Sequence, residues 1–166
     1  MSNIDHPHVP ALEPGQILPA FSLPGADGMP HSPWDYKQRE HLVILFLTDV
    51  SSATERALLQ DYARAYANFR EEQCAVLAVT ANAVLMNLQT QEELRLPFPL
   101  LSDVQGKVIT RYTQWNATEH TLLPCIILAD RYSALYRRWI AENISDLPGS
   151  QELLDSLQYL NKLCTP

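Results

Sequence analysis

Six apolar residues, Leu42-Val43-Ile44-Leu45-Phe46-Leu47, run without a polar interruption. A run that short and that continuous reads as a strand buried on both faces, inside a sheet covered by helices. It passes through Thr48-Asp49-Val50-Ser51 straight into a helical pattern. Ser52 with Glu55 three residues on has the form of a capping box. Leu58, Leu59, Tyr62, Ala63, Tyr66 and Phe69 then recur on one broad face, which predicts a helix over 52–71. Such a junction aims free backbone N–H groups and a positive dipole end at one spot. The residue types at that spot are Ser51, Ser52, Ala53, Thr54 and Glu55.

The rest of the chain arranges itself around this unit. Residues 1–14 hold three prolines and little apolar material and read as a flexible tail, leaving 15–166 as a single domain. Gln16 to Leu23 is expected as an edge-type strand broken by Pro19. Gly25-Ala26-Asp27-Gly28 is a turn, and Ser32-Pro33 opens a short helical turn. Cys74 to Thr80 is a second continuous apolar strand, so strand–helix–strand forms a right-handed parallel crossover. A helix over roughly 82–94 follows, then an extended piece, Phe98 to Asp103. Asp103 is expected to cap a helix through Val108, Ile109 and Tyr112. Leu122 to Asp130 is a third buried strand, and Leu135 to Ile140 returns as an antiparallel strand near the edge. Leu153, Leu154, Leu157, Leu160 and Leu163 form the apolar face of a last helix after Pro148-Gly149-Ser150. The expected fold class is α/β: a central mixed sheet with helices on both faces, in the thioredoxin-like order.

Charge and cysteine usage narrow the function. With 12 Lys and Arg against 19 Asp and Glu, the net charge is −7 and no basic cluster breaks it. That argues against nucleic acid and against anionic membrane surfaces. No apolar stretch approaches the ~20 residues that span a bilayer. Met1 to Pro14 has neither a basic start nor an apolar run, so it does not read as a signal peptide, and a cytoplasmic protein is expected. Cys74, Cys125 and Cys164 are too few and too widely spaced for a disulfide framework. No Cys/His zinc spacing is present, and nothing calls for a cofactor. His6 and His8 beside Asp5 form a loose set that reads as solvated tail rather than metal site.

Several pieces, in order, resemble the peroxiredoxin-type proteins of the alkyl hydroperoxide reductase and thiol-specific antioxidant family. They are Pro14-Gly15-Gln16 with Pro19-Ala20-Phe21-Ser22-Leu23 and Gly28; Val43 to Leu47; Cys74 to Thr80; Phe98-Pro99-Leu100-Leu101-Ser102-Asp103 with Gly106-Lys107-Val108 and Tyr112; Ile126 to Asp130; and Leu147-Pro148. The resemblance implies a thioredoxin-like fold, thiol peroxidase chemistry and a habit of dimerising. In the family a cysteine at the strand-to-helix turn attacks the peroxide as a thiolate, assisted by a strand arginine. Here no cysteine precedes Cys74. Matching Thr54-Glu55 to the family's "CPTE" places Ser52 at the cysteine. An ungapped count from Phe46 places Glu55 there, and a thioredoxin-style count puts Ser51 and Thr54 at the two cysteine positions. The arginine position falls on Pro124; a proline just before that strand resembles thioredoxins and thioredoxin-like relatives, which implies a cis Leu123–Pro124 bond, the alternative being a trans proline at a strand start, where its missing N–H does no harm.

What remains at the site is weaker chemistry. A serine nucleophile needs a base within reach, and neither His41 nor His120 is near in sequence; helix capping accounts for Ser51, Ser52 and Thr54. Asp49 and Glu55 read as a loop carboxylate and a capping residue rather than an acid–base pair. Cys125 neighbours Pro124 and is a candidate displaced thiol, as is Cys164, placed like the C-terminal resolving cysteine of some relatives. The leading expectation is a family member whose peroxidatic cysteine and strand arginine are replaced. It would act in binding or assembly, as a homodimer, with a protein partner or with a small anionic ligand at the helix N-terminus. The alternative is an oxidoreductase working through Cys125 or Cys164.

Overall fold

The computed structural model describes residues 9–163. Its strands are β1 (Leu23–Pro24), β2 (Pro30–His31), β3 (His41–Leu47), β4 (Cys74–Thr80), β5 (Leu100–Ser102), β6 (Trp115–Asn116), β7 (Thr121–Leu122), β8 (Cys125–Ala129) and β9 (Leu135–Ile140). The helices are α1 (Ala53–Arg64), α2 (Tyr66–Glu71), α3 (Val84–Leu94) and α4 (Ser150–Leu163), with 3₁₀ turns at Pro33–Asp35, Ile109–Arg111 and Ile144–Asp146.

The central sheet has five strands in the order β5-β4-β3-β8-β9. The continuous apolar run sits at its middle, where every residue from His41 to Leu47 is buried. β3 pairs parallel with β4, from His41↔Cys74 to Leu47↔Thr80, and antiparallel with β8, from Leu42↔Ala129 to Phe46↔Cys125. β9 is antiparallel to β8 and forms one edge of this sheet. Alternate residues of β3 feed two cores. Val43, Leu45 and Leu47 face Leu59, Tyr62 and Phe69 of α1 and α2 and Leu153, Leu154 and Leu157 of α4. Leu42, Ile44 and Phe46 face Phe21, Val108, Ile109, Tyr112 and Leu122. The long helices therefore cover one face. On the other, helical cover comes from the turn Ile109–Arg111, supplemented by the N-terminal segment.

Several expected elements are shorter or differently closed. The helix expected over 52–71 breaks at Ala65 (φ −90°, ψ 0°). The break gives each aromatic beyond it a partner: Phe69 stacks on Tyr62 at 5.7 Å and Tyr66 meets Phe98 at 6.0 Å. The helix expected after Asp103 is only the 3₁₀ turn, because Gly106 interrupts it at φ +69°. Asp103 still accepts the Val108 and Ile109 N–H groups, at 2.9 and 2.8 Å. The strand expected from Gln16 reduces to Leu23–Pro24. Upstream of it the chain lies against the start of β9 through Gly15, Gln16 and Leu18, with a single bridge from Ile17 to Ala134. Of the expected tail, Leu12 is buried in the second core and the Pro10 carbonyl accepts from Arg138 at 2.8 Å. His6, His8 and Cys164 lie outside the described residues.

Asp61 ties the last helix to the first. Its carboxylate accepts both the backbone N–H and the hydroxyl of Ser150, each at 2.8 Å, at the start of α4. An acceptor at that end satisfies otherwise orphaned helix donors, although it comes from another helix rather than from a local cap.

Candidate functional site

The turn between β3 and α1 is closed by polar groups from three segments. Asp49 accepts both the N–H and the hydroxyl of Ser51, at 2.9 and 2.8 Å. The Val50 N–H goes to the Asn82 side chain at 2.9 Å, beyond the end of β4. The Thr48 hydroxyl donates to the Leu122 carbonyl at 3.2 Å. The Ser51 N–H above all, then the Ser51 hydroxyl and the Asn82 side chain, hold the Asp49 carboxyl below the usual carboxylate range against its partial burial.

The capping box expected at Ser52 does not form. Ser52 has extended dihedrals and stands at the N-cap of α1, but its side chain makes no cap hydrogen bond. Its hydroxyl lies 3.4 Å from that of Thr54. Glu55 instead reaches back six residues, and its carboxylate accepts the Asp49 N–H at 2.6 Å. Glu55 is 6% exposed. Burial, reinforced by the nearby Asp49 charge, pushes its pKa up to about 7 against the pull of that N–H. The structure thus brings Ser51, Ser52, Thr54 and Glu55 together with Asp49. Glu55 is the buried member.

Pro124 and Cys125 lie at the start of β8, beside Phe46. The Leu123–Pro124 bond is trans, correcting the expectation of a cis bond; no described peptide bond is cis. The prolyl ring needs no donor here, and its carbonyl accepts the Ala141 N–H at 3.1 Å, extending the β8–β9 ladder by one bond. The preceding Leu123 carbonyl is taken by the Thr113 hydroxyl at 2.8 Å. Cys125 does not line a cleft. It is fully buried in the second core with Phe46, Ile127 and Tyr112, and burial pushes its thiol up to about 12. Cys74, fully buried in the first core, is shifted upward by burial as well. Neither thiol is placed to ionise near neutral pH.

Asn82 is the residue that sequence reasoning missed. It accepts from the turn through its side chain and, through its backbone carbonyl, from the Ser102 hydroxyl. An Asn two residues past a buried strand, next to a parallel neighbour, was the available signal. His120 is closer to the site than its sequence position suggests: its Nε2 lies 3.1 Å from the Ala81 carbonyl and its ring meets Trp115 edge-on at 5.0 Å. His41 stands at the opposite end of β3. Among the described residues no group of three or more His, Cys, Asp or Glu is placed to hold a metal, and no helix is long and apolar enough to cross a membrane.

Comparison with known proteins locates this geometry. No curated protein matches the sequence at a significant level. Solved structures match in fold. They include AhpC of Enterococcus faecalis (15% identity, 92% of this chain and 95% of that one, TM-score 0.83). AhpC of Mycobacterium bovis matches at 18% identity over 95% of this chain and 97% of that one, with TM-score 0.80. The peroxidoxin BcpB of Mycobacterium tuberculosis matches at 16% identity over 90% and 99%, with TM-score 0.79. At such identities the likeness is one of fold, and it places the chain among the thioredoxin-like peroxiredoxin folds. The sequence itself matches the model of the AhpC/TSA family across residues 14–136, most of its length, and the chain belongs to the AhpC/TSA family.

Proposed function

We propose that this AhpC/TSA-family protein has lost the thiol peroxidase centre of its relatives and acts by binding a protein partner in the cytoplasm. The observation that carries the reading is the composition of the turn after β3. Ser51, Ser52, Thr54 and a buried Glu55 occupy it, and no cysteine stands there or anywhere earlier in the chain. Peroxide reduction needs an accessible thiolate, and both described cysteines are buried with their thiols shifted upward. Their unpaired state fits a reducing compartment.

A protein partner fits better than a small anion. The Asp49 carboxylate stands at the same turn and is held in its charged form, which opposes a second negative charge. Beside the turn, α3 opens with three apolar residues facing solvent, Val84, Leu85 and Met86, and Val104 is exposed as well. The same helix buries Asn87 and Thr90. Exposed apolar clusters of this kind mark association surfaces. A second copy of the chain is one occupant, and light scattering at tens of micromolar, a rough working range for weak dimers, reads it out.

The test is peroxide kinetics joined to intact mass. The protein should react with hydrogen peroxide at the rate of an ordinary thiol and gain no oxygen at substoichiometric peroxide. Rapid formation of a sulfenic acid or disulfide at Cys164 would instead establish the displaced-thiol oxidoreductase.

A further inference from the structure

A second polar assembly lies at the far end of β3, remote from the turn. His41 is fully buried at the first residue of that strand. Its Nε2 lies 2.7 Å from Oδ1 of Asn161, near the end of α4. The Asn161 amide nitrogen in turn donates to the Glu72 carbonyl at 3.2 Å and to its carboxylate at 2.8 Å. Those two donations fix Oδ1 as the acceptor, so Nε2 must carry the proton of the ring. Nδ1 has no hydrogen-bond partner. The neutral ring therefore suits this place, since Nδ1 needs no donor partner while it holds a lone pair. A protonated ring would have to bury a second N–H with nothing to receive it.

We propose that the His41–Asn161–Glu72 chain is an acid-sensitive latch that holds the last turns of α4 against the base of the sheet and releases them when His41 is protonated. The rest of α4 is anchored independently. Leu153, Leu154 and Leu157 are buried, and Ser150 is tied to Asp61. Past Leu160 the exposure rises, and Leu163 is 61% exposed. Asn161 is the polar tie of that last stretch to β3, and letting go of it frees the ring to reach water.

The groups facing the ring fit this arrangement. From α4 comes Asn161, and from the end of α2 comes Glu72. β4 supplies Cys74, the register partner of His41. Asp130 and Arg131 act on the ring from the turn before β9, and the Arg131 Nε is itself buried without a partner. Burial is the largest influence and lowers the His41 pKa, with Arg131 adding to it; the Asn161 bond, Asp130 and Glu72 act in the opposite sense. A histidine lowered on folding binds fewer protons folded than unfolded. Its contribution is intact above the ordinary value near 6.5 and is lost as pH falls toward the folded value. In that window the opening equilibrium rises by about tenfold per pH unit.

The experiment uses the full chain. Hydrogen exchange of α4 amides is followed from pH 7.5 to 5 and corrected for intrinsic exchange, alongside the imidazole shifts of His41. The expected result is a His41 pKa below 6.5 and protection at 158–163 that falls by up to about tenfold per pH unit, while 151–156 hold. His41→Gln, which keeps a donor for Asn161 but cannot titrate, should show flat protection at 158–163. An ordinary His41 pKa, a pH-independent end of α4, or the same pH response in His41→Gln would each overturn the latch. The ring titration is read on the unaltered protein and decides the matter even if the variant does not fold.

Discussion

The Glu55 carboxylate accepts the Asp49 N–H at 2.6 Å, so the side chain suited to cap its own helix instead spans the turn that precedes it. Ser52, at the N-cap position, makes no side-chain cap bond either. The turn is closed by an acid whose pKa burial pushes up to about 7, so it titrates near neutral pH.

Glu55 should make stability depend on pH. Its pKa is about 7 in the fold against 4.5 ordinarily. Between those values the folded chain keeps a proton that the unfolded chain has released. Stability therefore declines as pH rises through that interval and levels off above it. Glu55→Gln keeps an acceptor for Asp49 and removes the titration. The variant should match the parent near pH 4 and exceed it at pH 8 by on the order of 2–3 kcal/mol. Urea unfolding at the two pH values measures this; an equal difference at both would refute the assignment.

Ser52→Cys should place a thiol at the start of α1 with a pKa below the unperturbed value of about 8.5, because the helix N-terminus favours the anion by roughly 0.3–1 kcal/mol. The fold should be unaffected, since the Ser52 hydroxyl makes no cap bond. Peroxidase activity should stay low, with Pro124 supplying no guanidinium. Alkylation rate against pH gives the value, and an unshifted thiol would remove Ser52 as the proposed counterpart of the family cysteine.

Cys74 and Cys125 should be inert in the native protein. Both are fully buried, and ionising either thiol must overcome that burial. A water-soluble disulfide reagent followed by peptide mapping should modify them only at the rate of unfolding. Rapid labelling of Cys125 below the denaturation midpoint would reopen its role as a displaced thiol.

Gly106→Ala should destabilise the domain. Gly106 sits at φ +69°, and an added Cβ would overlap the indole of Trp115. Left-handed strain and overpacking each cost roughly 1–3 kcal/mol. Thermal unfolding reads the loss, and Trp fluorescence reports the displaced indole against His120.

The strands were legible where their apolar runs were unbroken. Cys74–Thr80 matches its sequence reading end to end, and β3 extends it only by His41. Such runs are specified locally, by burial on both faces. The closing geometry of the turn was not. A Ser-x-x-Glu spacing is equally compatible with a capping box and with a carboxylate that reaches upstream, and what decides between them is the Asp49 N–H brought round by the turn. Asn82 and the Asn161 clasp were invisible for a related reason. Their partners lie 32 and 120 residues away. The trans Pro124 shows the limit of a family pattern: the residue was placed correctly at the strand entry, but its bond geometry is not written in its neighbours.

The pairing of β3 with β8 joins Leu42–Phe46 to Cys125–Ala129. During synthesis, β3 and β4 are complete once residue 80 has emerged, yet the other side of β3 must wait for some fifty further residues. Until then the most apolar strand of the chain presents an open edge, the arrangement most prone to pair with a neighbouring chain. Closure across that gap joins residues about eighty apart in the chain, a non-local pairing of the kind that slows folding. The central position that makes β3 so secure in the finished molecule makes it the segment most exposed on the way there.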